Sequence, residues 1–220
     1  MKELYIVRHG QTFLNSLNRT QGWVDSPLTE LGREQARQMG QVLGASKLTF
    51  DAIFSSDRGR ALETASLICQ EANLPYSELI QLPAWREMCF GQWEGVSNPE
   101  TIQAILTYHG FSSTEEAYQS RRQFRDLITE TVSKVDESGW GESGEVFRSR
   151  LQTALDQVIK HLEEKGGQRA LIIAHGVVME TLFNLLEPTA DLPEIDNGRA
   201  MILTYQDGQF QVKKVNVEQF

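Results

Sequence analysis

The chain of 220 residues is 40% hydrophobic and 23% charged, which excludes disordered and collagen-like classes and fits one domain with a sizeable core. A formal net charge of −9 argues against a nucleic-acid partner, which would need a basic face. No apolar run approaches the roughly 20 residues that span a bilayer, and the N-terminal residues do not read as a signal peptide.

Cys69 and Cys89 form no CxxC pair, so neither a disulfide framework nor a zinc site is expected. The expected location is the cytoplasm, with no membrane partner.

In chain order, Leu4-Tyr5-Ile6-Val7 reads as a buried first strand. Thr29 caps a helix that runs to about Ala45, with Leu31 and Leu43 among its inward residues. Ala52-Ile53-Phe54-Ser55 is a second buried strand. Ser56 or Asp57 opens the next helix, whose apolar positions Ala61, Ala65, Ile68 and Ala72 keep helical spacing until Asn73 and Pro75 end it. Residues 79–82 form a weaker strand. Residues 100–137 are helical and peripheral, with breaks at Gly110 and Ser112-Ser113.

The stripe Phe147, Leu151, Leu155, Val158 and Leu162 predicts a long helix over 143–165, stopped by Gly166-Gly167. Ala170-Leu171-Ile172-Ile173-Ala174 is the clearest buried strand, and a helix over 177–186 follows it. Residues 201–205 and 211–217 flank Asp207-Gly208, a hairpin signal that makes the tail antiparallel. Alternating strands and helices with continuous apolar strands predict an α/β sandwich of three layers around a mostly parallel central sheet.

Ligands in such folds bind outside the carboxyl ends of the strands. Three strand ends carry the relevant chemistry: Arg8-His9-Gly10, Ser55-Ser56-Asp57 with Arg58 and Arg60 beyond it, and His175-Gly176. Each has an ordinary alternative: a lone tripeptide, a surface arginine, a satisfied core histidine. Their shared position favours a common site. It also lets an acidic protein gather its few positive groups where an anion would bind. His109 and His161 have no such placement and read as helix-surface or cap residues. The segment Arg86 to Gly95, dense in aromatics and glycine, is either a packed loop or a loop that brings one carboxyl group to the site.

The ordered segments resemble the histidine phosphatase superfamily, also called phosphoglycerate mutase-like. Those segments are Arg8-His9-Gly10 with Thr12 and Asn15, Gln21-Gly22, Asp25 to Gly32, Ser55-Ser56-Asp57 with Arg60-Ala61 and Thr64-Ala65, Arg86-Glu87 with Gly91 and Trp93-Glu94-Gly95, Gly141-Glu142-Ser143, and Ala174-His175-Gly176. The resemblance implies that His9 is a nucleophile that becomes phosphorylated. It implies that Arg8, Arg60 and a cationic His175 hold phosphate with Asn15 as a neutral donor, and that Glu87 gives a proton to the leaving group. Gln21 and Gly22 join the substrate-binding set. No metal or other cofactor is expected. Two departures stand out: Cys89 where the family often has a polar residue, and Val177 where a second glycine is frequent.

The resemblance implies a metal-independent phosphatase acting on a phosphorylated small molecule, as a monomer or homodimer. The alternatives are a cofactor-dependent phosphoglycerate mutase and a non-catalytic phosphate-binding module. The chain has no lysine between Lys47 and Lys134, which disfavours the mutase. A single domain over residues 1–220 is expected, with an insertion at about 96–140 roofing the site and offering Tyr108, Phe111, Tyr118 and Arg121 as contacts. Arg121, Arg122 and Arg125 either reach the pocket or form a solvated helix face; the second is the preferred reading.

Overall fold

Apolar runs too continuous for a surface strand are buried on both faces of one six-stranded sheet in the computed structural model, which describes residues 1–118 and 121–219. The strands are β1 (Lys2–Arg8), β2 (Ala52–Ser55), β3 (Ile80–Gln81), β4 (Arg169–Ala174), β5 (Ala200–Gln206) and β6 (Gln209–Val217). Their order is β3-β2-β4-β1-β5-β6. The first four run parallel; β5 and β6 are antiparallel, joined through Asp207-Gly208 as the hairpin signal predicts.

Parallel neighbours need crossovers. Helices α1 (Phe13–Ser16) and α2 (Glu30–Ser46) link β1 to β2, and α3 (Gly59–Ala72) links β2 to β3. Helices α4 (Asn98–His109), α5 (Thr114–Ala117), α6 (Arg121–Thr131) and α7 (Gly144–Lys165) precede β4, and α8 (Gly176–Leu186) follows it. No helix among the described residues is long and apolar enough to cross a membrane.

Strand side chains alternate between the two faces. Tyr5, Val7, Ile53, Leu171 and Ile173 pack against Ala36, Met39 and Leu43 of α2 and Ala61, Ala65 and Ile68 of α3. Leu4, Ile6, Phe54 and Ile172 pack against the predicted stripe of α7 and against Val178, Met179 and Leu182 of α8. The result is a three-layer α/β sandwich. Thr29 caps α2 as expected, accepting from the amide of Gly32, and Ser143 caps α7 in the same way, accepting from that of Val146.

Two local expectations are corrected. Leu31 is 55% exposed, because the inward stripe of α2 starts one residue later, at Gly32. Helix α3 begins at Gly59, not at Ser56 or Asp57. Its first amides find their acceptor elsewhere in the chain: Asp25 takes the N–H groups of Gly59 and Arg60. Asp57 is instead paired with Arg86.

Gly32 faces inward because the backbone after His9 lies against it. A Cβ on Gly32 would collide with the Gln11 carbonyl, and one on Gly10 with the Gly32 carbonyl. Both obstacles are backbone, which cannot swing aside as a flexible side chain can. Gly32→Ala is therefore expected to destabilise the fold by about 1–3 kcal/mol in urea denaturation, the range for overpacking a tight contact.

Candidate active site

Strands β2, β4 and β1 are neighbours in the sheet and point the same way, so their carboxyl ends meet at one edge. This brings His9, His175 and the Ser55-Ser56 end together. The His9 amide donates to the Ala174 carbonyl at 3.0 Å, locking the two histidine-bearing ends in register. The two imidazole rings lie edge to face with centroids 5.1 Å apart.

His9 is 4% exposed. Its Nδ1 is 2.8 Å from the carbonyl oxygen of Gly10, which puts the proton on Nδ1 and leaves the Nε2 lone pair available. Arg60 Nε donates to that Nε2 at 3.3 Å. Burial first, then the nearby Arg60 and Arg8 charges, hold the imidazole well below its ordinary pKa, although the Gly10 carbonyl pulls the other way. His9 is neutral at pH 7.

Arg60 is 1% exposed, not a surface residue. Besides His9, its guanidinium donates to the Val24 carbonyl at 2.9 Å, Asp25 Oδ1 at 3.1 Å and the Gly22 carbonyl at 2.7 Å. Its Nη2 lies 3.1 Å from His175 Nδ1. Because arginine only donates, His175 Nδ1 accepts and the ring proton sits on Nε2. That Nε2 is buried and has no hydrogen-bond partner, as is Arg8 Nε. Arg8 is anchored by Nη1 on the Ile195 carbonyl at 2.6 Å. A side chain at Gly176 would crowd the Arg8 guanidinium, with a Cβ 3.2 Å from Cζ. The glycine of His175-Gly176 thus makes room for the arginine of the first motif.

The cationic His175 expected from the sequence is corrected. Burial, then Arg60 and His9, push its pKa well below the ordinary value. The fixed positive charge of the site comes from the two arginines, and His175 adds a neutral N–H.

Glu87 is 4% exposed and sits at the amino end of α8. Its carboxyl oxygens accept from Val177 N at 2.9 Å, Val178 N at 3.2 Å and Met88 N at 3.0 Å. Burial nevertheless raises its pKa, outweighing these amides and the charges of Arg60 and Arg8. A carboxyl that holds its proton longer than usual is suited to giving it away.

Asn15, Gln21, Arg8 and Glu87 line a cavity of about 750 Å³. Asn15 also closes a capping box with Thr12, and Gln21 donates to Ser26. Gly22 turns both its peptide groups into the frame: its N–H goes to Glu94 and its carbonyl to Arg60. Of the contacts expected from residues 96–140, Tyr118 and Arg121 line the cavity, while Tyr108 and Phe111 do not. Tyr108 projects outward beside His109.

The solvated-face reading of the three arginines is corrected too. Arg121 and Arg125 line the cavity and pair with Glu180; Arg122 donates to the carbonyls of Asn184, Glu187 and Ala190. Cys89 is buried, and burial raises its thiol pKa.

Sequence reasoning assigned no role to the residues that hold these groups in place. The carboxylate of Glu94 accepts from the amides of Gly22, Trp23, Val24 and Phe90, at 2.7–3.0 Å. Arg150 grips the carbonyls of Ala84, Arg86 and Glu87 and is itself held by Glu142. Trp23 Nε1 donates to the Glu87 carbonyl at 3.0 Å. Glu94 and Glu142 both stand in motif segments, which was the available signal; Arg150 had none. Among the described residues, no group of three or more His, Cys, Asp or Glu side chains is placed to hold a metal ion.

A family model described as the histidine phosphatase superfamily (branch 1) matches residues 4–218. The chain is 29% identical to a 2,3-bisphosphoglycerate-dependent phosphoglycerate mutase of Hamiltonella defensa subsp. Acyrthosiphon pisum (strain 5AT), covering 94% of this chain and 86% of that one. It is 27% identical to a metal-independent phosphoserine phosphatase of Arabidopsis thaliana, over 93% of this chain and 77% of the other. Among solved structures, a phosphoglycerate mutase from Bacillus anthracis str. Sterne superimposes with a TM-score of 0.86 at 32% identity, covering 99% and 93% of the two chains.

The depressed His175 pKa has a consequence for stability. The unfolded chain protonates this histidine below about pH 6.5 while the folded chain does not, so acid favours unfolding. Replacing His175 by Asn should reduce the loss of stability below that pH by about 1.4 kcal/mol per pH unit. Urea denaturation of both proteins between pH 7.5 and 5.5 reads it. Glu87 acts in the opposite sense in each, so the difference reports His175.

Proposed function

Because the chain belongs to the histidine phosphatase superfamily, branch 1, we propose that it hydrolyses phosphate monoesters of small molecules through a phosphohistidine at His9. The observation that carries this reading is the state of His9: neutral, with Nδ1 tied to the Gly10 carbonyl and Nε2 turned to Arg60.

In the first step, Nε2 attacks phosphorus and the bond to the alcohol oxygen breaks. Glu87 transfers its proton to the departing alkoxide. The Arg60 Nε–H, released from Nε2 as the N–P bond forms, turns to a phosphoryl oxygen. Arg8 and the Nε2–H of His175 bind the others, with Asn15 and Gln21 completing the substrate end of the cavity, while Gly22, which does not line it, serves through its carbonyl by holding Arg60. Such donors matter most where charge develops in the transition state. In the second step, water attacks phosphorus and gives a proton to Glu87, and the N–P electron pair returns to His9.

Helices α4 to α6, within residues 96–140, are read as an insertion that roofs this cavity in a single domain. The same reading takes the protein as cytoplasmic and as a monomer or homodimer. The mutase alternative draws support from the relatives of that name and from Arg121 and Arg125, which face the cavity and could hold a substrate carboxylate. Glu180 already engages both, which favours water as acceptor. A binding module has no use for a buried proton donor such as Glu87.

His9→Ala is expected to abolish phosphate release, and label from radiolabelled substrate should be trapped on His9 in an acid-free quench. Absence of that label under turnover conditions would count against the covalent route. Glu87→Gln should cost about 10²–10⁴-fold with alkyl phosphates and far less with aryl phosphates, whose leaving groups need no proton. Equal losses would remove Glu87 from the acid role.

The pH profile of kcat/KM should be bell-shaped. Its acid limb lies below the ordinary histidine value of about 6.5, and its alkaline limb reports loss of the Glu87 proton above the ordinary carboxyl value. Arg60→Gln removes a charge that disfavours imidazolium, so the acid limb should move to higher pH.

A further inference from the structure

Glu180 is an acid inside a site meant for an anion, and the steps above do not use it. It lies four residues beyond Gly176 on α8, so the two share one helix face, and both line the cavity. Its side chain is 5% exposed. Arg121 Nη2 reaches Oε1 at 2.8 Å and Arg125 Nε reaches Oε2 at 2.6 Å. The two arginines are four apart on α6 and so fork onto one carboxylate from the same helix face.

The charge balance of the outer cavity follows. Beyond Arg8 and Glu87 at the phosphate end, its charged lining residues are Arg19, Arg121 and Arg125 against Glu180, Glu194 and Asp196. The signs cancel. Ile102, Phe124 and Ile128 supply an apolar stretch of the same wall. A substrate carboxylate has two ways to use Arg121 and Arg125, both unfavourable. It can share the guanidinium groups with Glu180 and meet a like charge, or displace Glu180 and strand a buried carboxylate.

We propose that Glu180 is the specificity-determining residue of this cavity: by occupying Arg121 and Arg125, it selects monoesters of uncharged, apolar-bodied alcohols over phosphoesters that carry a second anionic group. The inference rests on the phosphatase reading above. It assigns Arg121 and Arg125 to holding α6 against α8, with their charge spent internally.

The test compares phosphate release from benzyl phosphate and from 3-phosphoglycerate, both alkyl monoesters with similar demands on the leaving group. The wild type should prefer benzyl phosphate in kcat/KM. Glu180→Gln should raise the 3-phosphoglycerate to benzyl phosphate ratio by about tenfold or more, mainly through KM, as expected when a repulsive charge beside a binding site is removed. Adding Arg121→Gln and Arg125→Gln to that variant should return the ratio toward the wild-type value, a reversal that mere loosening of α6 would not produce.

Arg125→Gln alone, which leaves Glu180 one partner, should lower the ratio, and it serves if Glu180→Gln does not fold. A wild type that prefers 3-phosphoglycerate, or a ratio unmoved by these variants while benzyl phosphate is still hydrolysed, overturns the role of Glu180 and leaves the phosphatase reading standing. No phosphate release from either ester by the wild type overturns both.

Discussion

The Arg60 guanidinium is buried in a chain of net charge −9, and every one of its N–H groups has a named acceptor. A buried charge is tolerable only when it is paired and its hydrogen bonds are complete. Here one carboxylate, two backbone carbonyls and two imidazole nitrogens meet that demand. Each acceptor is thereby fixed in turn. Asp25 caps α3 and binds the cation that α3 carries; the carbonyls of Gly22 and Val24 face inward because Glu94 holds the neighbouring amides. The two histidines face one another across the same group. Removing Arg60 would release the loop, the cap and both rings together.

Burial sets the proton inventory around that cation. It lowers both imidazole pKa values and raises that of Glu87, so neutral bases stand beside a carboxyl that keeps its proton to higher pH than usual. The opposite arrangement, an imidazolium beside a carboxylate, would be ordinary on a surface. It is disfavoured here because two fixed guanidinium charges oppose a third positive charge, and because a buried carboxylate costs more than three amides repay.

Much of this was legible along the chain because it is local or periodic. Strand runs, the stripe of α7, the cap at Thr29 and the hairpin at Asp207-Gly208 depend on neighbours within a few residues. The convergence of His9 and His175 followed from one rule about parallel strands. What stayed hidden depends on partners far apart in sequence. Asp25 caps a helix more than thirty residues away, and Glu180 is paired from a different helix. The neutral state of His175 is not legible in the chain because its first cause is complete burial, which only the folded structure shows; the Arg60 and His9 neighbours act in the same direction. Leu31 was misplaced because a glycine, and not the nearest large apolar residue, makes the close contact with the strand-end backbone.

The bond from His9 Nδ1 to the carbonyl of Gly10 joins a side chain to the very next residue. That carbonyl lies in backbone pressed against Gly32, so it cannot swing away without moving α2. A free imidazole has two chemically similar nitrogens and can be modified on either. In this protein the choice is made by one peptide group and one glycine contact, before any ligand arrives. On the proposed chemistry, the enzyme would form a single regioisomer of phosphohistidine, with phosphorus on the nitrogen remote from the backbone.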